Sequence, residues 1–287
     1  MNVAEPQSPL TRWLYRAYVA AFFLFLAAPL AAAAMFAFND SLFPALPWNG
    51  FTLAWFFGSE RPKIGMFHDR RLLQGLLNSF IVGVVVSGLS VAVGTCNAFL
   101  FERRDFPFKA ALYLLMIVPL VIPGVILGIS ILVFASFIAN GIEAATGIGL
   151  DVLRPGLFLV VLGQFSFLAT ITTLIIAARL RKFDVSLEEA ALNLGASRAR
   201  VLATITLRFL APAMVAAFIV GFLVSFENFN TTLMLVGSDA PLTITMYDRM
   251  VKVGATPVLN AVSVFLMLGS GLLALVSIVV QRPRKDA

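Results

Sequence analysis

The chain has 287 residues, 60% of them apolar and only 13% charged, with a mean hydropathy of +0.95. Soluble domains carry about a quarter charged residues, so a chain this apolar cannot hide its surface from water, and lipid must be much of its solvent. The net charge of +6 would suit a nucleic-acid partner, but the placement of the basic residues, taken up below, explains it as a membrane-topology signal instead.

A membrane-spanning helix needs about 20 predominantly apolar residues. Six segments qualify: 14–38, 72–101, 110–138, 155–177, 210–236 and 257–280. The predicted fold is an all-α polytopic domain over 14–280, with tails at 1–13 and 281–287. The first segment follows Arg12 and Arg16 and ends rich in alanine, as a cleaved signal peptide would. Its apolar run exceeds the roughly 7–15 residues of a signal sequence, which favours an uncleaved span. The 39–71 loop is rich in Pro, Trp and Phe and suits a segment lying along the membrane interface. His68 has no second His or Cys nearby, so no metal site is expected, and Cys96 inside the second span is read as packing. Pro119 and Pro123, with Gly124 and Gly128, interrupt the third span. They either shape the bundle or open backbone groups towards a pathway.

Lysine and arginine set orientation. The N-terminus, the 102–109 loop, the 178–209 loop and the C-terminal tail hold 14 of the 21 basic residues. With acids balanced at seven a side, that face carries +7 and the other is neutral. Both termini are therefore expected in the cytoplasm. On the outer side, Asp248 and Lys252 of the 237–256 loop stand at i,i+4 in the order that favours a short helix.

The 178–209 loop is too structured for a bare connection. Ser186 followed by Glu189 reads as a capping box that starts a helix, and Gly195 is placed to end it. Leu187, Ala190, Ala191 and Leu194 fall at i, i+3, i+4 and i+7, one apolar stripe. Ser197 can cap a second helix running into the fifth span. So short a helix is marginal alone and must bury its stripe. Either it lies on the bilayer or its own bundle, or it docks a cytoplasmic partner, with its acids meeting the partner's basic groups.

The fifth span carries Ser225-Phe226-Glu227-Asn228-Phe229-Asn230-Thr231-Thr232. On a continuous helix Glu227, Asn230 and Thr231 share one face and Ser225, Asn228 and Thr232 another. An ionisable residue inside a span usually faces a bundle interior or a watery cavity. Glu227, Asn228, Asn230 and Thr231 are therefore candidates for a solute pathway, the alternative being a hydrogen-bonded packing role.

Glu189-Ala190-Ala191, Gly195 and Ile205-Thr206-Leu207 resemble the EAA signature of permeases of binding-protein-dependent ATP-binding-cassette importers. The resemblance implies that the segment is a coupling helix seated in a groove of an ATPase subunit. Glu188, Glu189, Ala190, Ala191, Leu194 and Gly195 would then couple to the ATPase. The family pattern ends in Leu-Pro, whereas Arg208 follows Leu207 here and Pro212 comes four residues later. Phe38-Asn39-Asp40-Ser41, Gly50-Phe51-Thr52-Leu53-Ala54-Trp55, Asn78-Ser79 and the 250–261 segment are similar to the second permease of spermidine/putrescine-type importers. Together they extend the resemblance over most of the chain. It implies a type I importer permease in a bacterial inner membrane, paired with a second homologous permease. Two ATP-binding subunits would sit inside and a periplasmic solute-binding protein outside. The solute would be small and charged: polyamine-like, amino-acid-like or another amine. Polyamine members commonly show an adjacent acidic pair where this chain has Glu227-Asn228, one negative charge fewer.

No Gly-x-x-x-x-Gly-Lys-[Ser/Thr], His-Glu-x-x-His or Gly-x-Ser-x-Gly occurs. No catalytic residue or cofactor is therefore expected in this chain, and ATP and magnesium would belong to the partner ATPase. Two rivals stand beside this reading. A self-contained secondary transporter of a small cation would often show internal repeats and midplane ion sites, but no repeat is found. A membrane-embedded enzyme would need a His/Asp/Cys cluster, which is missing.

Overall fold

The computed structural model describes residues 8–281. The expected tails therefore fall largely outside the described residues, at 1–7 and 282–287. Among the described residues the chain is helical, with one isolated antiparallel bridge between Asn39 and Phe51. In chain order the helices are α1 (Pro9–Ala37), α2 (Ala54–Phe57), α3 (Arg70–Arg103), α4 (Lys109–Val121), α5 (Gly124–Thr146) and α6 (Leu157–Leu180). They continue with α7 (Ser186–Asn193), α8 (Arg198–Val201), α9 (Leu207–Phe226), α10 (Asn230–Leu235), α11 (Leu242–Val253) and α12 (Pro257–Gln281). Six helical stretches are long and apolar enough to cross a membrane: Pro9–Ala37, Arg70–Arg103, Gly124–Thr146, Leu157–Leu180, Arg198–Phe226 and Pro257–Ile278.

The chain forms two compact units. The first comprises residues 1–70 with 249–268. Its α1 starts at an N-cap, Ser8, whose hydroxyl accepts from the Thr11 amide at 3.2 Å, with Pro9 in the first turn where no donor is needed. Past α1, Asn39 organises the loop expected to lie at the interface. Its Nδ2 donates to the carbonyls of Ala45 and Pro47, its Oδ1 accepts from the Asn49 amide at 2.9 Å, and its own carbonyl accepts from the Trp55 indole at 3.0 Å. Phe38 stacks between Phe51 and Phe56. This loop is a folded element with a buried Trp55, and not a bare strip of interface anchors.

The second unit comprises residues 71–248 with 269–287. Its core runs along α6. Leu159, Val160 and Leu168 pack with Val82 and Val86 of α3, Ala135 of α5 and Leu235 of α10. Further along, Ile176, Ala177 and Leu180 meet Ala98 of α3, with Phe183, Leu210 and Ala217. More than half of the most apolar window of α6 is buried, against none of that of α1. The first is a bundle core.

Two expected spans are broken, each for a local reason. The third was expected as one kinked helix over 110–138, but α4 stops at Val121 and α5 starts at Gly124. Pro123 drives Ile122 out of the helical region, to φ −72° and ψ 129°, so the crossing helix is α5, which runs on to Thr146. The fifth was expected to run through to residue 236, but α9 ends at Phe226 and α10 begins afresh at Asn230. Gly124, Gly128 and Gly163 make room for the restarted helix. An added Cβ at Gly124 would stand 3.0 Å from Thr231 Oγ1, one at Gly128 would stand 2.9 Å from the Thr231 carbonyl, and one at Gly163 would collide with Leu235. The glycines near the kink thus serve close packing of α10. Cys96, expected to be packed, is exposed on α3 instead.

Candidate functional site

Helix α7 follows α6 by a tight connection and has eight residues. The expected capping box is not formed. Ser186 is the first helical residue and not the cap, and Asp184 does the work, its Oδ1 accepting from the Ser186 amide at 3.0 Å. The Ser186 side chain and amide hold the Asp184 carboxyl below its usual range. The C-terminal end is as the sequence predicts. Gly195 adopts φ +85°, the Ala196 amide reaches back to the Ala191 carbonyl at 3.1 Å and the Gly195 amide to Leu192 at 2.9 Å. That is the six-to-one and five-to-two pair of a glycine-terminated helix. Ser197 then caps α8, accepting from the Arg200 amide at 3.4 Å.

The two acids of α7 part company. Glu188 turns inward: it accepts from Arg103 Nη1 at 2.8 Å and Nη2 at 3.4 Å, and from the hydroxyl of Thr206. Thr206 is fully buried at the end of a π-helical turn over Leu202–Thr206. Arg103 also lies over the Phe183 ring, 5.3 Å from its centroid. Burial alone would raise the Glu188 carboxyl, but the Arg103 and Thr206 hydrogen bonds and the Arg103 charge outweigh it and hold it below its usual range. Glu188 thus neutralises the chain's own Arg103. The apolar stripe and the second acid have no cover here. Leu187 is 51% exposed, Leu194 is 89% exposed, and Ala190 and Glu189 are exposed, with Ala191 half-buried. Beside α7 an open cavity of about 600 Å³ is lined by Cys96, Arg103, Arg104, Glu188, Leu192 and Arg198 among others.

The polar segment of the fifth span divides in the same way. Since the helix breaks between α9 and α10, the face expected from an unbroken helix does not exist. Glu227 and Asn230 are exposed, whereas Thr231 is 1% exposed, packed towards Gly124, Gly128 and Gly163. Thr231 is therefore packed inside the bundle, whereas Glu227 and Asn230 are open to its surface. Asn228 is half-buried, and its Oδ1 is occupied, accepting from the Thr232 amide at 3.3 Å and the Thr232 hydroxyl at 3.0 Å. It ties the break to the first turn of the restarted helix. Behind the break lies Gln164 of α6, which donates from Nε2 to Thr232 Oγ1 at 2.9 Å and accepts at Oε1 from the Ser225 hydroxyl.

Residues 86–285 match the sequence profile of the binding-protein-dependent transport system inner membrane component family. The chain belongs to that family. It is a multi-pass inner-membrane permease of an ATP-driven importer, and its family is not a family of enzymes. It is 26% identical over 273 residues to the spermidine/putrescine transport system permease protein PotC of Escherichia coli K12, covering 95% of this chain and 96% of the relative. To the putrescine transport system permease protein PotI of the same strain it is 26% identical over 256 residues, 89% of this chain and 86% of PotI. The molybdenum transport system permease protein ModB of that strain is 30% identical over 210 residues, 72% of this permease and 90% of ModB. In fold it matches a bacterial transporter that imports the acidic polysaccharide alginate, at a TM-score of 0.70 and 19% identity over 95% of this chain and 96% of that one.

Reading the permease from sequence located α7 and the polar segment of the fifth span but not its break, and missed what holds each in place. Arg103, Thr206 and Asp184 carry α7; Thr206 stands within the Ile205-Thr206-Leu207 segment, but nothing local marks its bond to Glu188, nor Arg103, which is 85 residues from Glu188. Gln164 did leave a signal. It is an uncharged amide within the apolar 24-residue α6, and such a group in a span has to find a hydrogen-bond partner.

Proposed function

We propose that this permease imports a small amine cation, pairs with a second homologous permease, and is driven through α7 by two separate ATP-binding subunits, which hold the ATP and magnesium. A periplasmic solute-binding protein delivers the solute, and both termini lie in the cytoplasm. The observation that carries the coupling role is the division of α7. One face is tied down through Glu188 to Arg103 and Thr206, while Leu187, Glu189, Ala190 and Leu194 stand uncovered on a helix with closed ends. A short helix anchored on one side and bare on the other suits transmission of force from a second body. The charge bias supports a cytoplasmic position for α7 and the basic residues around it.

For the solute, the family alone does not decide, since relatives named for spermidine and putrescine and for molybdenum all match. What favours an amine is this chain's own exposed Glu227 at a helix break. A carboxylate there attracts a cation and repels an anion.

The test is the assembled complex in proteoliposomes, with ATP on the cytoplasmic face, the cognate binding protein on the other, and labelled putrescine as probe. Accumulation should depend on ATP and be competed by other amines. Gly195→Leu, a bulky side chain at φ +85°, should abolish accumulation while basal ATP hydrolysis and assembly persist. Full accumulation by that variant would remove α7 from coupling, and failure of every amine to bind the cognate binding protein would overturn the solute class.

A further inference from the structure

We propose that Gln164 is the positioning residue of the helix break: its amide clamps the end of α9 to the start of α10 and so sets where Glu227 and Asn230 stand on the solute route. This deepens the pathway reading of Glu227 and rests on it.

The side chain is 1% exposed and uses both halves of its amide, one on each side of the break. Its oxygen accepts from the hydroxyl of Ser225, in the last turn of α9, and its nitrogen donates to Thr232 Oγ1, in the first turn of α10, at 2.9 Å. The Thr232 hydroxyl in turn donates to Asn228 Oδ1, inside the break, at 3.0 Å. Every proton in this chain of bonds points the same way, Ser225 to Gln164 to Thr232 to Asn228, so each group donates what the next accepts. Ser225 and Thr232 are 3% and 0% exposed, and both bonds made by Gln164 are buried.

A buried amide that merely satisfied itself could take both partners from one neighbour. This one takes one from each helix end, across the residues where the backbone ladder is interrupted. Backbone bonds therefore leave the angle between the two ends open. The glycine surface of α5 and α6 receives α10 by close contact, which sets its distance from the bundle. Hydrogen bonds are directional, and Gln164 joins the two helix ends from outside the break, adding to the Asn228 bonds to Thr232 that cross it. Glu227 and Asn230 are the exposed residues flanking that break, and their spacing follows from it.

The experiment uses the complete complex in a Cys96→Ala background, with a probe cysteine at Asn230. Gln164→Leu removes both bonds at similar volume. Gln164→Glu keeps the acceptor for Ser225 and removes the donor to Thr232. Ser225→Ala and Thr232→Val each cut one side. Expected first is a change of about tenfold in the maleimide labelling rate at position 230 in Gln164→Leu, the scale of a buried hydrogen bond left without its partner. Smaller changes are expected in the single-sided variants. With asparagine restored at 230, the KM for putrescine should rise by a similar factor per assembled complex while basal ATP hydrolysis is unchanged. In a Glu227→Gln background, Gln164→Leu should add little further. Unchanged labelling in assembled Gln164→Leu overturns the clamp, and if that variant does not assemble, unchanged labelling in both Ser225→Ala and Thr232→Val overturns it equally. Altered labelling with normal KM in Gln164→Leu and normal uptake in Glu227→Gln would show a clamp that serves no solute route, overturning the positioning role through the pathway reading instead.

Discussion

If α7 transmits force, its anchor to the bundle should be worth a measurable free energy, and cutting it should loosen coupling before it disturbs the fold. The anchor is the Glu188 carboxylate, held by two Arg103 N–H groups at 2.8 and 3.4 Å and by Thr206. Only 24% of the Arg103 side chain and 19% of that of Glu188 are exposed, so the pair lies between a surface ion pair of about 0–1 kcal/mol and a buried one whose disruption costs about 3–5 kcal/mol. About 2 kcal/mol is a fair value, which changes the ratio of anchored to released α7 roughly thirtyfold. Glu188→Leu should therefore cut solute imported per ATP hydrolysed several-fold in proteoliposomes. It should also raise the mobility of a spin label at Leu187→Cys (in a Cys96→Ala background), with the complex still assembled. Exchanging the charges, Arg103→Glu with Glu188→Arg, should restore part of both. The pH response has a definite sign. The Glu188 carboxyl lies below its usual range when folded, so its contribution is fully present above the unfolded carboxylate pKa and is lost only as pH falls through the lower folded value. Label mobility should stay flat from neutral pH down into the ordinary carboxylate range and rise beneath it. Unchanged coupling and mobility in Glu188→Leu would refute the reasoning, as would a mobility rise near neutral pH.

Three further outcomes are expected. Glu227→Gln keeps size and most hydrogen bonding but removes the charge, so putrescine uptake per assembled complex should fall about tenfold with basal ATP hydrolysis retained; unchanged uptake takes Glu227 out of the pathway. A cysteine at Ser197 in the Cys96→Ala background should react with an impermeant maleimide only from the cytoplasmic side, and labelling from the periplasm would reverse the topology. Gly163→Ala should lower the unfolding temperature of the complex by forcing Leu235 and Thr231 aside, at a cost of about 1–3 kcal/mol. Gly141→Ala, in a helix with nothing within 4 Å, should leave that temperature level or slightly raised, and equal falls would show that the α10 groove is not tightly packed.

Composition and spacing alone determined the helical membrane class, the number of crossing helices and the place of α7. These follow from quantities a sequence states directly: the length of an apolar run, the glycine needed at φ +85° and the serine that caps α8. The fifth span shows where that reasoning stops. Ser225 to Thr232 reads as two polar faces only if the helix is continuous, and the sequence holds no proline there to say otherwise. The break is held because Gln164, more than sixty residues away in the chain, ties Ser225 to Thr232 across it, and because Gly124, Gly128 and Gly163 admit the restarted helix. Likewise Glu188 and Glu189 are equivalent in a one-dimensional pattern, and only the approach of Arg103 separates the anchor from the exposed acid. Apolar length and backbone conformation are local properties, so the sequence carries them. The partner of a buried polar group is chosen by which helices meet, and that choice exists only once the bundle has formed.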